Sequence, residues 1–321
     1  MVGCHGPVTG PTDVIHAFGQ GVRHQMIAEN NRDRGNAGGS VRRILLASDL
    51  TAYTDRAFDR TAMLAEQNRA AVRLIHSVET AGLPEGYLNS QVREAEAYLW
   101  GEVRDSGLDG FCDVSVNVVS GDAATAIAKE AQVVQADLIV LGLTHDESLV
   151  GMVRGTTIDK VVRGSSAPVL AVKTRARRPY ARIAVAADLA EPSRAALEFV
   201  LRKFPDTEVR IVHVSEPESV GTDSHDLYTA ALARQRQQVV DMVGEAFAKA
   251  GRTLPVEGTS SIVHFAEGIA VNLLPECLSK LDPDLVVMGT HGRTGIANLV
   301  LGSVAETLLD VLRRDMLVVR G

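Results

Sequence analysis

The chain has 321 residues, of which 45% are hydrophobic and 23% charged, and its formal net charge is −7. This length favours two domains over one, and the negative charge argues against a general nucleic-acid-binding protein, which would need a strongly basic face. Three widely spaced cysteines argue against a disulfide scaffold and favour a reducing compartment, the cytoplasm, and no apolar run approaches the roughly 20 residues of a membrane-spanning helix.

The first 40 residues differ in composition from the rest of the chain. They are rich in Gly, Asn, Arg and His and lack a sustained apolar period, which is typical of a disordered segment. No basic leader followed by an apolar run is visible. We therefore predict that residues 1–40 form a disordered N-terminal tail. The histidines in it match no common metal-ligand spacing, so no metal site is expected there.

From residue 41 onward, short aliphatic runs alternate with segments of helical periodicity. In the first half, helical spacing is found at 54–68 and 123–132, and strands are predicted at 43–47, 72–76, 114–119, 138–141 and 169–172. Strands that are aliphatic throughout are typical of a parallel sheet covered by helices on both faces. Right-handed crossovers then give an open, doubly wound sheet, which binds ligands beyond the carboxyl ends of its strands.

The second half repeats the first in the same order. Residues 180–189 resemble 41–50, and residues 283–289 resemble 136–142. The corresponding strands are predicted at 183–187, 209–214, 260–265, 285–288 and 317–319. The basic, proline-stopped run 173–179 is typical of a linker. The sequence therefore predicts an α/β protein with two tandem, doubly wound, five-stranded parallel-sheet domains, at 41–175 and 180–321.

The segment after the fourth strand of the second half carries the clearest chemical signal. Gly289 and Gly292 allow a sharp turn and a close approach of the backbone to a ligand. Gly302 and Ser303 then open an apolar helix, whose free N–H groups and dipole favour phosphate oxygens. The Ser303 hydroxyl either adds a donor to the phosphates or only caps the helix, and Arg293 lies inside the loop. This arrangement indicates a phosphate-binding loop.

Gly289, Gly292, Gly302 and Ser303 match, position for position, the ATP-binding signature of the universal stress protein family, and the resemblance covers both halves. It implies the adenine-nucleotide α-hydrolase-like fold of that family and ATP as the ligand, with an accompanying Mg²⁺ ion left open. It also implies three further contacts with the nucleotide: a position near the adenosine, one against the base and one in a nearby turn, at Asp188, Val214 and Gly268. A turn role for Asp188 and a solvated turn at Gly268 remain alternatives.

The first half departs from this signature. The positions that it retains, as a weaker candidate site, are Asp49, Gly142, Gly155 and Thr156. His145 replaces the second glycine, and Asp146 and Glu147 add negative charge where an anion would bind. We therefore expect strong nucleotide binding in the second half and weak or absent binding in the first. A cationic His145 that donates to phosphate is the alternative.

No Walker loop, nucleophile elbow or zinc-protease motif is present, so no catalytic residue and no metal site are predicted. The leading hypothesis is an ATP-binding regulatory protein of the stress response. The alternatives are a slow ATP hydrolase or nucleotidyl transferase, and a nucleotide-free interaction scaffold. Because single domains of the family pair through their last strands, 169–172 and 317–319 suggest an intramolecular pseudo-dimer, with a homo-dimer left open. Neither nucleic acid nor membrane is expected as a partner.

Overall fold

The computed structural model describes residues 40–79, 84–143, 157–216, 225–290 and 301–321. The strands in these ranges are β1 (Arg43–Ala47), β2 (Ala71–Val78), β3 (Val114–Ser120), β4 (Leu138–Gly142), β5 (Val169–Val172), β6 (Arg182–Ala186), β7 (Glu208–Ser215), β8 (Val263–Glu267), β9 (Leu285–Gly289) and β10 (Asp315–Val319). The helices are α1 (Ala52–Asn68), α2 (Glu85–Asp105), α3 (Ala123–Val133), α4 (Thr157–Gly164), α5 (Glu191–Lys203), α6 (His225–Lys249), α7 (Ala270–Leu281) and α8 (Ser303–Val311). Residues 1–39 of the predicted tail lie outside the described residues.

All ten strands belong to one sheet, in the order β3-β2-β1-β4-β5-β10-β9-β6-β7-β8. Within each half the neighbouring strands are parallel, and the order reverses beside the first strand of that half. The prediction of two tandem, doubly wound, five-stranded α/β sheets is confirmed. The two halves meet where β5 pairs with β10 in antiparallel orientation, with Leu170 opposite Leu317.

The core consists of two apolar layers, one on each face of the sheet. Ile44 and Leu46 of β1 point into the layer with α1, α2, α5 and α6, whereas Leu45 and Ala47 point into the layer with α3, α4, α7 and α8. Successive side chains of a strand face opposite sides of the sheet, so covering both faces buries every residue of a central strand. Each fully buried Leu or Ile contributes roughly 1.5–3 kcal/mol, which explains the uninterrupted aliphatic runs.

Two aspartates explain part of the internal repeat. The Asp137 carboxylate, just before β4, accepts the N–H groups of Arg42 and Arg43 at 2.9 Å each. Asp284, just before β9, accepts those of Ala181 and Arg182 at the same distance. Each aspartate thus ties the start of one inner strand to the start of its neighbour. The repeated Asp-Leu pair marks this link in both halves.

The prediction of a strand at 260–265 was wrong at the amino-terminal end. Thr259–Ser261 form a short 3-10 helix instead, and β8 begins at Val263. Gly258 has a φ of 80°, in the region that favours glycine, and its carbonyl oxygen accepts the Ser261 hydroxyl at 2.9 Å. These local contacts turn the chain before the sheet begins.

No helix within the described ranges is long and apolar enough to cross a membrane.

Candidate functional site

The candidate site lies at the carboxyl edge of the second half, where the strand order reverses. β6 lies between β9 and β7, and Ala186 of β6 is level with Met288 and with Val212. From this register, Asp188 follows the end of β6 at the same level as Val214, and Gly289 ends β9 one residue beyond Met288. In open α/β sheets, ligands bind at the carboxyl edge where the strand order reverses.

Asp188 shapes the turn between β6 and α5. Its Oδ1 accepts the Ser193 hydroxyl at 2.6 Å and the Ala190 N–H at 3.0 Å. In the first half, Asp49 Oδ1 accepts the hydroxyls of Thr51 and Thr54 at 2.7 and 2.6 Å. Burial raises the pKa of Asp49, but the bonds from Thr54 and Thr51 outweigh it, so the net pKa is lowered. The turn role is therefore observed, and it also fixes the direction of each carboxylate.

A histidine links the ends of the first two strands in both halves. His213 Nδ1 lies 2.8 Å from the Ala187 carbonyl oxygen, and His76 Nδ1 lies 2.8 Å from that of Ser48. Because a carbonyl oxygen can only accept, Nδ1 carries the proton in each ring. His213 is 1% exposed and packs edge-on against Phe265. These contacts give each histidine a structural role at the carboxyl edge of its half of the sheet.

Gly289 is a glycine for a packing reason that the sequence did not reveal. A Cβ atom at this position would lie 2.5 Å from the carbonyl carbon of Pro192 and 2.7 Å from its Cβ. Real Cβ atoms do not approach backbone atoms this closely, so α5 can lie against the end of β9 only when residue 289 has no side chain. This requirement holds with or without a ligand.

Gly268 lies in the turn after β8, where the backbone conformation favours glycine. Its φ is 143°, and a Cβ atom there would lie 2.8 Å from Cδ1 of Leu273. Its N–H donates to the Ser215 carbonyl oxygen at 3.0 Å. Gly121 in the first half repeats the arrangement, with a φ of 130° and a bond to the Val78 carbonyl oxygen at 3.0 Å. The turn thus brings the end of the third strand back to the second in both halves.

Gly302 and Ser303 lie at the start of α8. The Gly302 N–H donates to the Thr290 carbonyl oxygen at 2.9 Å, and the Thr290 N–H donates to the Val319 carbonyl oxygen at 3.0 Å. These bonds hold together the two chain ends that flank residues 291–300. Ser303 is exposed and begins the helix. The first N–H groups of an α-helix have no partner within the helix, so α8 presents donors at this point.

Several predicted site residues lie outside the described part of the chain. They are Gly292 and Arg293 in the second half and His145, Gly155 and Thr156 in the first. Gly142 is described and ends β4 opposite Val172. The predicted contrast between the two loops therefore stays a prediction.

The first half has a cleft of its own, of about 550 Å³, between the end of β2 and α2. Ser77, the counterpart of Val214, lines it together with Tyr98, and the charged groups in its described lining are the carboxylates of Glu79 and Glu94. The Ser77 hydroxyl donates to the Gly121 carbonyl oxygen at 2.8 Å. Carboxylates in the lining disfavour an anion, so this cleft suits phosphate groups poorly.

No group of three His, Cys, Asp or Glu side chains that would hold a metal ion occurs among the residues that the structure describes.

Comparison with known proteins gives consistent matches for the two halves. The sequence model of the Universal stress protein family matches residues 40–173 and 179–320. Universal stress protein E from Salmonella typhi is 24% identical over 284 residues, which cover 83% of this chain and 82% of that protein. The two family matches stop short of each other at residues 174–178, between β5 and β6.

Two solved structures resemble most of the chain. A functionally unknown protein from Pseudomonas aeruginosa PAO1 aligns with a TM-score of 0.61 at 23% identity, over 89% of this chain and 95% of its own. A universal stress protein from Archaeoglobus fulgidus DSM 4304 aligns with a TM-score of 0.62 at 18% identity, over 88% and 97%. At these identities the structures show a shared fold.

Proposed function

The chain belongs to the universal stress protein family, and on that premise we propose that it is a regulatory protein of the stress response that binds ATP in its second half. The observation that carries the proposal is the convergence of Asp188, Val214, Gly289 and the start of α8 on the switch point of the second sheet. An open α/β sheet offers its ligand crevice at this place.

Each of these residues suits one part of the nucleotide. The N–H groups at the start of α8 and the Ser303 hydroxyl would hold phosphate oxygens, because the helix dipole places partial positive charge there. Gly292 and Arg293 complete the phosphate loop in this proposal. The Asp188 carboxylate, held by Ser193, would accept from ribose hydroxyls, and Val214 would contact the base. Gly268 closes the turn nearby. The bound ATP would act as a signal, and no residue is assigned a catalytic role.

The substitution Ser303→Asp tests this site. An aspartate suits the first turn of a helix, so folding is preserved, but its charge opposes phosphate. We expect ATP to bind at least about tenfold more weakly, because like charges about 4 Å apart repel by roughly 1–4 kcal/mol. The measurement is calorimetric titration of the full chain with ATP and magnesium.

Thr157→Asp provides the matched control. Thr157 is the exposed first residue of α4 in the first half, so the same charge is added at the start of the equivalent helix. We expect this variant to bind ATP as the unmodified chain does. If Ser303→Asp left the ATP affinity unchanged, the assignment of the phosphate site would be wrong.

A nucleotide-free scaffold is the second candidate function, and two observations favour it. Gly289 is required by its contact with Pro192 whether or not a ligand binds. Glu306 adds a negative charge in the first turn of α8, where it would disfavour an anion. Titration of the unmodified chain and of Ser303→Asp with ATP separates the candidates, since a scaffold would show no ATP binding that the Ser303→Asp substitution weakens.

We further propose that the pairing of β5 with β10 makes each chain an intramolecular pseudo-dimer. β3 and β8 lie at the two ends of the sheet, where a second chain would pair in a homo-dimer.

We also propose a cytoplasmic location, which accords with the free thiols of Cys112 and Cys277. Burial, together with Asp113 and Asp109, raises the pKa of Cys112 to about 11. This thiol therefore stays protonated and unreactive at neutral pH.

A further inference from the structure

A basic cleft lies at the junction of the two halves, away from the carboxyl edge of the second sheet. Its volume is about 650 Å³, and its lining contains Arg60, Arg175, Arg177, Arg178 and Arg314. Three of these arginines belong to the segment 174–178, which neither family match covers. The cleft is therefore a feature of the way in which this chain joins its halves.

The linker that forms one wall of the cleft is held at both ends. The Thr174 N–H and hydroxyl each donate to Asp315 Oδ1 at 2.9 Å. The Arg178 carbonyl oxygen accepts Nη1 of Arg60 at 3.0 Å. Arg175 and Arg177 lie between these anchors, and both line the cleft.

Arg60 forms a rigid part of the lining. It is 4% exposed, its Nε lies 3.5 Å from Asp315 Oδ2, and its guanidinium lies 3.9 Å from the centre of the Tyr180 ring. The Tyr180 hydroxyl donates to the same Asp315 oxygen at 2.6 Å. Burial and the Asp315 carboxylate raise the pKa of Tyr180, so this hydroxyl stays a donor. The contacts with Asp315 and Tyr180 thus fix the position of the buried Arg60 guanidinium.

The cleft carries an excess of positive charge. Three of its arginines have carboxylate partners: Arg60 with Asp315, Arg178 with Asp284 and Arg314 with Asp282. Arg175 and Arg177 are exposed and make no hydrogen bond or ion pair with the residues that the structure describes. Two guanidinium charges therefore remain uncompensated in a chain whose net charge is −7.

We propose that this cleft binds a compact anion with two or more linked phosphate groups, either inorganic polyphosphate or the phosphate tail of a nucleotide. The planar guanidinium group pairs with phosphate oxygens through two parallel hydrogen bonds. The concave lining suits a small ligand, whereas a nucleic acid or an anionic membrane would require a broad basic face. This site is separate from the proposed ATP site at α8.

Calorimetric titration with sodium tripolyphosphate tests the proposal. The full-length Ser303→Asp protein is used, so that the charge at α8 suppresses phosphate binding there. We expect this protein to bind tripolyphosphate, and the added pair Arg175→Ala and Arg177→Ala to weaken binding at least about tenfold, because each arginine supplies charge-assisted hydrogen bonds. The control pair Arg93→Ala and Arg104→Ala removes the same charge from exposed positions of α2 and should leave the affinity within about twofold.

ATP titrated into the same proteins identifies the source of the phosphate groups. If tripolyphosphate alone binds through Arg175 and Arg177, the ligand is an inorganic polyphosphate; if ATP also binds through them, nucleotides are included. Absence of tripolyphosphate binding, or equal weakening by the control pair, would overturn the proposal. The comparison of the two arginine pairs does not depend on whether Ser303→Asp lowers the ATP affinity of the otherwise unmodified chain.

Discussion

At the scale of single residues, Gly289 shows that a glycine of the proposed phosphate loop is also required by packing. The sequence predicted a glycine that admits phosphate, and the structure adds a helix that needs the same glycine. The contact with Pro192 could not be predicted, because it joins two segments that lie far apart in the chain. The glycine pattern predicted a ligand role for this position and did not reveal the packing role.

Gly289→Ala should destabilise the fold. The added methyl group would meet the backbone of Pro192, and such overpacking costs typically about 1–3 kcal/mol. Gly101→Ala is the control: it lies in α2, and nothing is found within 4 Å of the added Cβ. Alanine there should stabilise the protein by roughly 0.5–1 kcal/mol. Urea unfolding measures both, and equal stability of the two variants would contradict the packing argument.

At the scale of secondary-structure elements, Lys173 connects the first half to α8 of the second. It follows β5, is 6% exposed, and its Nζ donates to the carbonyl oxygens of Leu309 and Leu312. The last carbonyls of a helix have no partner within the helix, so this lysine stabilises the end of the helix whose start is the proposed phosphate site.

The buried lysine should make stability depend on pH. Burial lowers the pKa of Lys173 from 10.5 to about 8, so between these values the unfolded chain binds the proton and the folded chain does not. Stability therefore rises with pH across this window, by up to roughly 1.4 kcal/mol per pH unit. This stabilisation of the folded chain is fully present above pH 10.5, the pKa of the unfolded chain. It is lost as the pH falls through about 8, the pKa of the folded chain.

Urea unfolding of the unmodified chain and of Lys173→Met between pH 7 and 10 tests this. We expect the stability of the unmodified chain to rise relative to that of the variant as the pH increases. A difference that does not change with pH would contradict the lowered pKa.

The strands were more predictable than the helices. Aliphatic runs located all ten strands because a central parallel strand is apolar at every position. The sequence did not single out α2, whose buried stripe includes only Ala95, Leu99 and Val103 on a largely exposed surface. The start of β8 was misplaced because Gly258 and Ser261 form a local turn that has no hydrophobic signal.

At the scale of the whole molecule, the pairing of β5 with β10 joins two similar sheets into one. The repeat predicted two domains and a basic linker between them. It did not predict that the linker lines a cleft, since Asp315, Tyr180 and Arg60 come from separate parts of the sequence. In the sequence, the arginines of 174–178 resemble those of a solvated linker. In the fold, contacts between distant parts of the chain place them around a cleft.

The first half has the carboxylates of Glu79 and Glu94 in its cleft, and its loop carries His145 in place of a glycine. From these two features we expect one nucleotide per chain, bound in the second half.

The most direct test is a count of ATP bound per chain, by mass spectrometry of the freshly purified protein under native and denaturing conditions. The count is made in the protein with Arg175→Ala and Arg177→Ala, so that the basic cleft does not contribute. We expect one ATP per chain in this protein and none when Ser303→Asp is added. Two ATP molecules per chain, or one that persists after Ser303→Asp is added, would contradict the assignment of a single site to the second half.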